Sequence, residues 1–211
     1  MTLVILLTMD PLSRLAEYFG EFPGIGPRQA KRFVYFLLTR NTAVLEDMAR
    51  LILDIKKSIR VCPSCFRFFP ESGGNALCSI CANKNRDQDE LMIVSRDVDF
   101  EAIEKSKVYN GYYFILGGNI PILEKEPEKK VRLNELLKKL KDSAFKEITL
   151  SLNANAEGEH TAEFLRSFIK ERLPEKHFSI SVLGRGLSTG TELEYSDAET
   201  IRNALKNRER V

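Results

Sequence analysis

No segment of this chain is long and apolar enough to cross a membrane. The apolar run Met1-Thr-Leu-Val-Ile-Leu-Leu-Thr-Met9 is short and lacks the basic leader and cleavage site of a signal peptide. Histidine is scarce: His160 and His177 have no cysteine or histidine at ligand spacing, so both read as solvated side chains. Cysteine occurs only four times in 211 residues. The lack of a leader and of a membrane span predicts a cytosolic protein, in which thiols stay reduced. With 43% hydrophobic and 29% charged residues, the chain can pack one or two cores and is neither disordered nor fibrous.

All four cysteines fall within one short stretch, Cys62-Pro-Ser-Cys65, twelve residues, then Cys78-Ser-Ile-Cys81. A CxxC pair turns two thiolates toward one point, and two such knuckles supply the four soft ligands that tetrahedral Zn²⁺ prefers. Two disulfides or four separate core thiols are the alternatives, and a reducing compartment disfavours both. No histidine or carboxylate remains to mark an open coordination position, so the expected site is closed and structural. Residues 61–82 have little else in the sequence to fold with, so the metal is expected to supply much of their stability.

Charge is uneven along the chain. Residues 1–86 carry 12 Lys/Arg against 7 Asp/Glu, whereas residues 87–211 carry 20 against 23. The basic half is where a polyanion would bind, although such a surplus also suits a solvated face. Within it, Asp10-Pro11 predicts a helix start and Gly20 its end, with Leu12, Leu15, Ala16 and Phe19 as an apolar stripe. Phe22-Pro-Gly-Ile-Gly-Pro27 follows. Gly24 and Gly26 permit a tight turn, and Pro27 starts a second helix whose free amides point into that turn, where a phosphate can sit. Arg28, Lys31 and Arg32 share one face of that helix beside the turn. This stretch resembles the helix-hairpin-helix motif of DNA repair proteins; the bland alternative is a packing corner whose glycines serve only the turn. A third helix is expected over residues 42–59, with Val44, Leu45, Met48, Leu51, Ile52 and Ile55 buried, and with Lys56, Lys57 and Arg60 available to extend a phosphate path.

The polar run Asn83–Glu90 reads as a linker, after which the pattern changes. Leu91–Val94, Tyr112–Leu116, Ile148–Leu152 and Phe178–Leu183 read as short, nearly continuous apolar strands, alternating with helical patterns near 98–106, 130–141 and 159–172. Such alternation predicts a mainly parallel sheet covered on both faces, with ligand sites at the strands' carboxyl ends. There, Asn153-Ala-Asn155-Ala-Glu157-Gly-Glu159 resembles the Asp-x-Asp and Glu-Gly-Glu segments of the Toprim domain of topoisomerases, primases and some nucleases. Active Toprim enzymes also place a glutamate after the first strand. Here that position is Ser95, and Asn153 and Asn155 stand at the two aspartates. A Ser-Asn-Asn set offers Mg²⁺ neutral oxygens only, so metal-dependent phosphotransfer is expected to be absent.

In combination, the hairpin motif, the cysteine ribbon, the Toprim-like sheet and the tail Gly184-Arg-Gly-Leu-Ser-Thr-Gly-Thr-Glu-Leu-Glu-Tyr195 resemble the bacterial recombination mediator family RecR over nearly the whole chain. The chain departs from that pattern at Ser95, Ser188 and Thr191, where members often have glutamate, proline and glycine. The resemblance implies an α+β chain in four parts. Residues 1–60 would form a helix-hairpin-helix DNA-binding region, 61–86 a four-cysteine zinc finger, 87–183 a Toprim-like, Rossmann-like α/β domain, and 184–211 a C-terminal oligomerisation segment.

It further implies a non-enzymatic clamp on single- and double-stranded DNA, assembled as a homodimer or homotetrameric ring through its hairpin regions and C-terminal segments. The clamp would work in the cytoplasm, at the nucleoid, with RecO and in many bacteria RecF, helping to load RecA onto DNA covered by SSB during gap repair. Arg28 and Arg32 fall on the family's DNA-contacting positions; Lys31 is added by spacing alone. Two other readings stand beside this one. The first is a metal-dependent nuclease or topoisomerase-like enzyme using Asp97, Glu157 and Glu159. The second is a zinc-stapled scaffold that binds no nucleic acid.

Overall fold

In the computed structural model, residues 10–71, 74–184, 186, 187, 190 and 192–207 are described. The apolar run 1–9 and the departures at Ser188 and Thr191 lie outside them. Contacts divide the chain into two units, 1–59 and 60–211, each taken here by itself.

In the first unit, helix α1 (Pro11–Gly20) starts where Asp10 Oδ1 accepts from the amides of Leu12 and Ser13 at 3.0 and 3.1 Å. Helix α2 (Pro27–Leu38) opens on Pro27, whose missing N–H is no loss in a first turn. The two helices meet through Phe19 and Phe33, edge to face at 5.7 Å, over the buried Ala30 and Val34. Helix α3 (Thr42–Ser58) begins as predicted, Asn41 accepting from the amide of Ala43 at 2.9 Å. Its predicted buried face is not buried. No α3 residue is buried; Leu45 is partly covered, while Val44, Met48, Leu51, Ile52 and Ile55 are all exposed, Leu51 at 63%. Helical spacing decides which side chains share a face but not what covers them.

The second unit begins with the ribbon: strands β1 (Ile59–Val61) and β2 (Phe68–Pro70), paired with each other, and the single turn α4 (Ser79–Ala82). Four parallel strands follow, β3 (Glu90–Val94), β4 (Tyr112–Ile115), β5 (Glu147–Ser151) and β6 (Ser179–Val182), in the order β4-β3-β5-β6. Helices α5 (Asp97–Ser106), α6 (Leu133–Lys141) and α7 (Ala156–Arg172) lie in the crossovers, and α8 (Ala198–Lys206) ends the described chain. Side-chain alternation sorts β3 into two cores. Leu91 and Ile93 pack with α6 and α7 through Leu136, Leu140, Leu165 and Ile169, whereas Met92 and Val94 face Phe100 of α5 and the ribbon. The sheet is therefore covered on both faces, as predicted, and strand order reverses between β3 and β5.

Two expectations need correction. The ribbon does not fold alone: Cys62, Cys65, Phe69, Cys78 and Ile80 share one core with Met92, Val94, Tyr113 and Ile115 of the sheet. Residues 83–90 are no linker either. Arg86, 8% exposed, makes a two-pronged bond to Glu104 at 2.8 and 3.0 Å and donates from Nε to the Gly111 carbonyl at 2.8 Å. The Asp89 carbonyl accepts from Lys146 and Glu147 at the head of β5. The polar run is therefore tied into the interior at Arg86, which finds its carboxylate on α5, while Lys84 stays exposed.

Burial is the strongest single influence on the Glu104 carboxyl and raises it, but the hydrogen bond and charge of Arg86, with smaller contributions from Tyr113 and Arg67, together outweigh burial and hold Glu104 below the usual glutamate range. The pair's contribution is thus whole above the unfolded glutamate value and is lost as pH falls through the lower folded value. Arg86→Ala strands a half-buried carboxylate, a loss of about 3 kcal/mol. In a chain of this size that lowers the thermal midpoint by about 6–12 °C. Circular dichroism melts check both effects; an unchanged midpoint, or a deficit that persists in acid, contradicts this role for the pair.

Candidate nucleic-acid interface and metal centre

The four cysteine sulfurs lie within 4.8 Å of one another, and Cys62, Cys65 and Cys78 have no solvent exposure. Cys65 Sγ and Cys78 Sγ are 3.6 Å apart, far beyond a disulfide bond. Tetrahedral sulfurs each about 2.3 Å from a central ion lie about 3.8 Å apart, so the spacing fits a four-thiolate site. Electrostatics point the same way. Hydrogen bonding with Cys65 lowers the Cys62 thiol, while the same contact, with burial, raises that of Cys65. Four converging thiols cannot all ionise unless a cation sits among them; the set could hold a metal ion. Among the described residues, this is the only group of three or more Cys, His, Asp or Glu side chains at ligand distance.

The backbone joins this centre to the sheet. The Cys65 carbonyl accepts from Ile115 N at 2.8 Å, and Phe66, held at φ 63°, turns its ring onto Phe114 at 5.4 Å. Lys139 of α6 donates to the Ser64 carbonyl at 3.1 Å, and Asp97 accepts from Phe68 N at 2.8 Å. Of the ribbon aromatics, Phe69 is buried, Phe66 partly so, and Phe68 is exposed.

The hairpin of the first unit has a different chemistry. Gly24 takes φ +78°, which a side chain would resist, and Ile25 N closes the turn onto the Phe22 carbonyl at 3.0 Å. No side chain caps α2, so its first amides carry the positive end of the helix dipole with no local oxygen to meet it. A Cβ placed on Gly24 or Gly26 would meet nothing within 4 Å, so the backbone there is open to close approach. Arg28, Lys31 and Arg32 are all exposed, with Arg32 resting against Gln29 at 3.5 Å. Lys57 and Arg60 are paired with Asp54 and Glu71, so two of the three charges expected to extend a phosphate path already have carboxylate partners.

At the carboxyl ends of the sheet, Ser95 and Asn153 are brought together and Asn155 is not. Ser95 Oγ donates to Asn119 Oδ1 at 2.6 Å, and Asn119 Nδ2 donates to Asn153 Oδ1 at 3.2 Å. Asn155 instead caps α7, accepting from Gly158 N at 2.9 Å. A Cβ on Gly158 would fall 1.9 Å from the Asn153 carbonyl, which is why glycine stands between the two glutamates. Glu157 and Glu159 occupy the first turn of α7, and Asp97 and Asp99 that of α5, where each suits the dipole. Asn119 belongs to this cluster and was missed. It sits in a loop without a recognisable motif, and only the topology places it beside β3 and β5.

Three family models match the chain: RecR, helix-hairpin-helix over residues 12–56, Toprim domain over 89–184, and RecR, C-terminal over 186–209. Curated relatives named Recombination protein RecR include those of Chloroflexus aggregans and Herpetosiphon aurantiacus, each 34% identical over 96% of this chain and 95% of the relative. That of Gloeobacter violaceus is 32% identical over 95% of this chain and 98% of the relative.

Cys78→Ser keeps the side chain's size but removes a soft ligand. The expected outcome is loss of bound metal by elemental analysis, together with faster amide exchange at Ile115, whose acceptor belongs to the Cys65 knuckle. Full metal content in the variant would rule out a four-thiolate centre.

Proposed function

Because this chain belongs to the RecR family of recombination proteins, we propose that it is a non-catalytic DNA clamp acting in recombinational repair. It grips single- and double-stranded DNA by the sugar-phosphate backbone and, with RecO and, as in many bacteria, RecF, helps load RecA onto SSB-covered single strands at gaps. The observation that carries this reading is the uncapped start of α2, bare at Gly24 and Gly26 and flanked by exposed Arg28, Lys31 and Arg32. Backbone amides and a helix dipole receive one phosphate, and the cations neutralise its neighbours. No base edge is addressed, so binding is blind to sequence.

A few contacts per chain give weak binding, which several copies closed around one strand multiply through effective concentration. The exposed apolar residues of α3 support assembly, since a contiguous patch of that kind calls for a partner surface. A homodimer or homotetramer ring is the reading that gives the patch a use. The cysteine group is assigned one structural Zn²⁺, because four soft ligands with no open position suit it. Metal-dependent nuclease chemistry through Asp97, Glu157 and Glu159 lacks a comparable basis, as these three do not form a group at ligand distance. Among the described residues no helix is long and apolar enough to cross a membrane, which accords with work at the nucleoid in the cytoplasm.

Arg28→Glu combined with Arg32→Glu is expected to abolish retention of DNA in a low-salt gel shift while leaving the melt and metal content unchanged. For the unmutated protein, each phosphate contact adds about −0.9 to the salt slope on duplex and about −0.7 on single strand. Undiminished retention by the double variant overturns the proposal. So does a light-scattering mass that stays at the 24.1 kDa of one chain with and without DNA.

A further inference from the structure

The crevice where strand order reverses, between the carboxyl ends of β3 and β5, is where an α/β sheet of this kind places its ligand. In Toprim enzymes that ligand is a divalent cation, but the residues here do not fit one. The inward oxygens are those of Ser95, Asn119 and Asn153, none anionic, whereas Mg²⁺ and its analogues are held through carboxylates. Ser95 is 1% exposed and spends its proton on Asn119. The Asn119 amide bridges its two neighbours, so one of them must face its NH₂ group. Turning the amide over only exchanges which neighbour that is, and a cation beside it would meet the positive end of the amide dipole.

We infer that the crevice is a metal-free latch: Ser95, Asn119 and Asn153 join the loops after β3, β4 and β5 by direct hydrogen bonds where a Toprim enzyme joins its ligands through an ion. This inference rests on the non-catalytic reading above. The surrounding bonds agree with it. Gly117 N donates to the Ser95 carbonyl at 2.9 Å, extending the pairing of β4 with β3. Ile120 N donates to Thr161 Oγ1 at 2.9 Å, and Thr161, fully buried, donates in turn to the Glu157 carbonyl at 2.6 Å. The loop carrying Asn119 is thus anchored on β3 at one end and on α7 at the other. The latch closes the span between, and no position in it calls for a charge.

The test uses the full-length, metal-loaded protein. Manganese titration followed by electron paramagnetic resonance is expected to detect no stoichiometric Mn²⁺, and millimolar Mg²⁺ is expected to leave the thermal midpoint unmoved. Asn119→Ala removes both latch bonds with a small side chain. It is expected to speed amide exchange at residues 117–119 and 152–155 and to lower the midpoint by about 2–4 °C, equally with and without Mg²⁺. One bound Mn²⁺ per chain, released by Glu157→Gln, overturns the latch, and so does unchanged exchange in Asn119→Ala. DNA retention is read on the same samples. Asn119→Ala is expected to bind DNA as the parent does, so failure of the latch leaves the clamp standing. Failure of the parent to retain DNA removes the clamp and leaves the latch.

Discussion

The convergence of four sulfurs beneath one end of a sheet constrains much of the second unit. β4 is an edge strand, and an edge strand left bare presents unpaired amides. Here the Cys65 carbonyl meets the amide of Ile115, so the turn that aims a thiol at the metal position also covers the strand's end. The ribbon's interior continues into the sheet through Phe69 and Ile80 against Met92, Val94, Tyr113 and Ile115. A short ribbon has too little apolar surface of its own to offset the entropy of its chain. The ribbon draws on a borrowed core beside a cysteine group that could hold a metal ion, and the ribbon and the sheet belong to one unit.

The hairpin unit is organised by the opposite economy. Its core is small, essentially Phe19, Phe33, Ala30 and Val34, and its chemistry lies outside it, on amides without a side-chain cap and on exposed Arg28, Lys31 and Arg32. On the proposed reading this suits the task, since a polyanion of any sequence needs charge and access, not a shaped pocket. The crevice of the sheet has gone the other way. Where a Toprim enzyme concentrates negative charge, this chain has a serine and two asparagines that satisfy one another. The neutral groups of Ser95, Asn119 and Asn153 are bonded to one another in the crevice, whereas the exposed cations Arg28, Lys31 and Arg32 lie on the hairpin unit.

Much of this architecture was legible in the residues, and the exceptions share a cause. Strands β3 to β5 stood out because buried parallel strands are continuous apolar runs, and their crossovers because helical periodicity interrupts them; β6, an edge strand with no fully buried residue, shares only the apolar pattern. The doubled CxxC announced the cysteine group because ligand spacing is a local property. What stayed hidden depends on partners far apart in sequence. Arg86 looked solvated in a polar run because Glu104 is 18 residues away. Asn119 looked like loop because its neighbours arrive from β3 and β5. The α3 stripe looked like core because periodicity reports a face and is silent on its cover. The aspartate-to-asparagine reading told which oxygens were neutral, but not that Asn155 turns away to cap α7 while Asn153 turns inward.

The central claim is that DNA is held at the uncapped start of α2. Amide hydrogen exchange on the metal-loaded protein, with and without a mixed-sequence oligonucleotide, tests it at the atoms concerned. Slowed exchange is expected to concentrate at Gly24 to Lys31, independent of the oligonucleotide's sequence and erased by high salt. Protection confined to the sheet crevice, with the hairpin exchanging as fast as in the free protein, would contradict it.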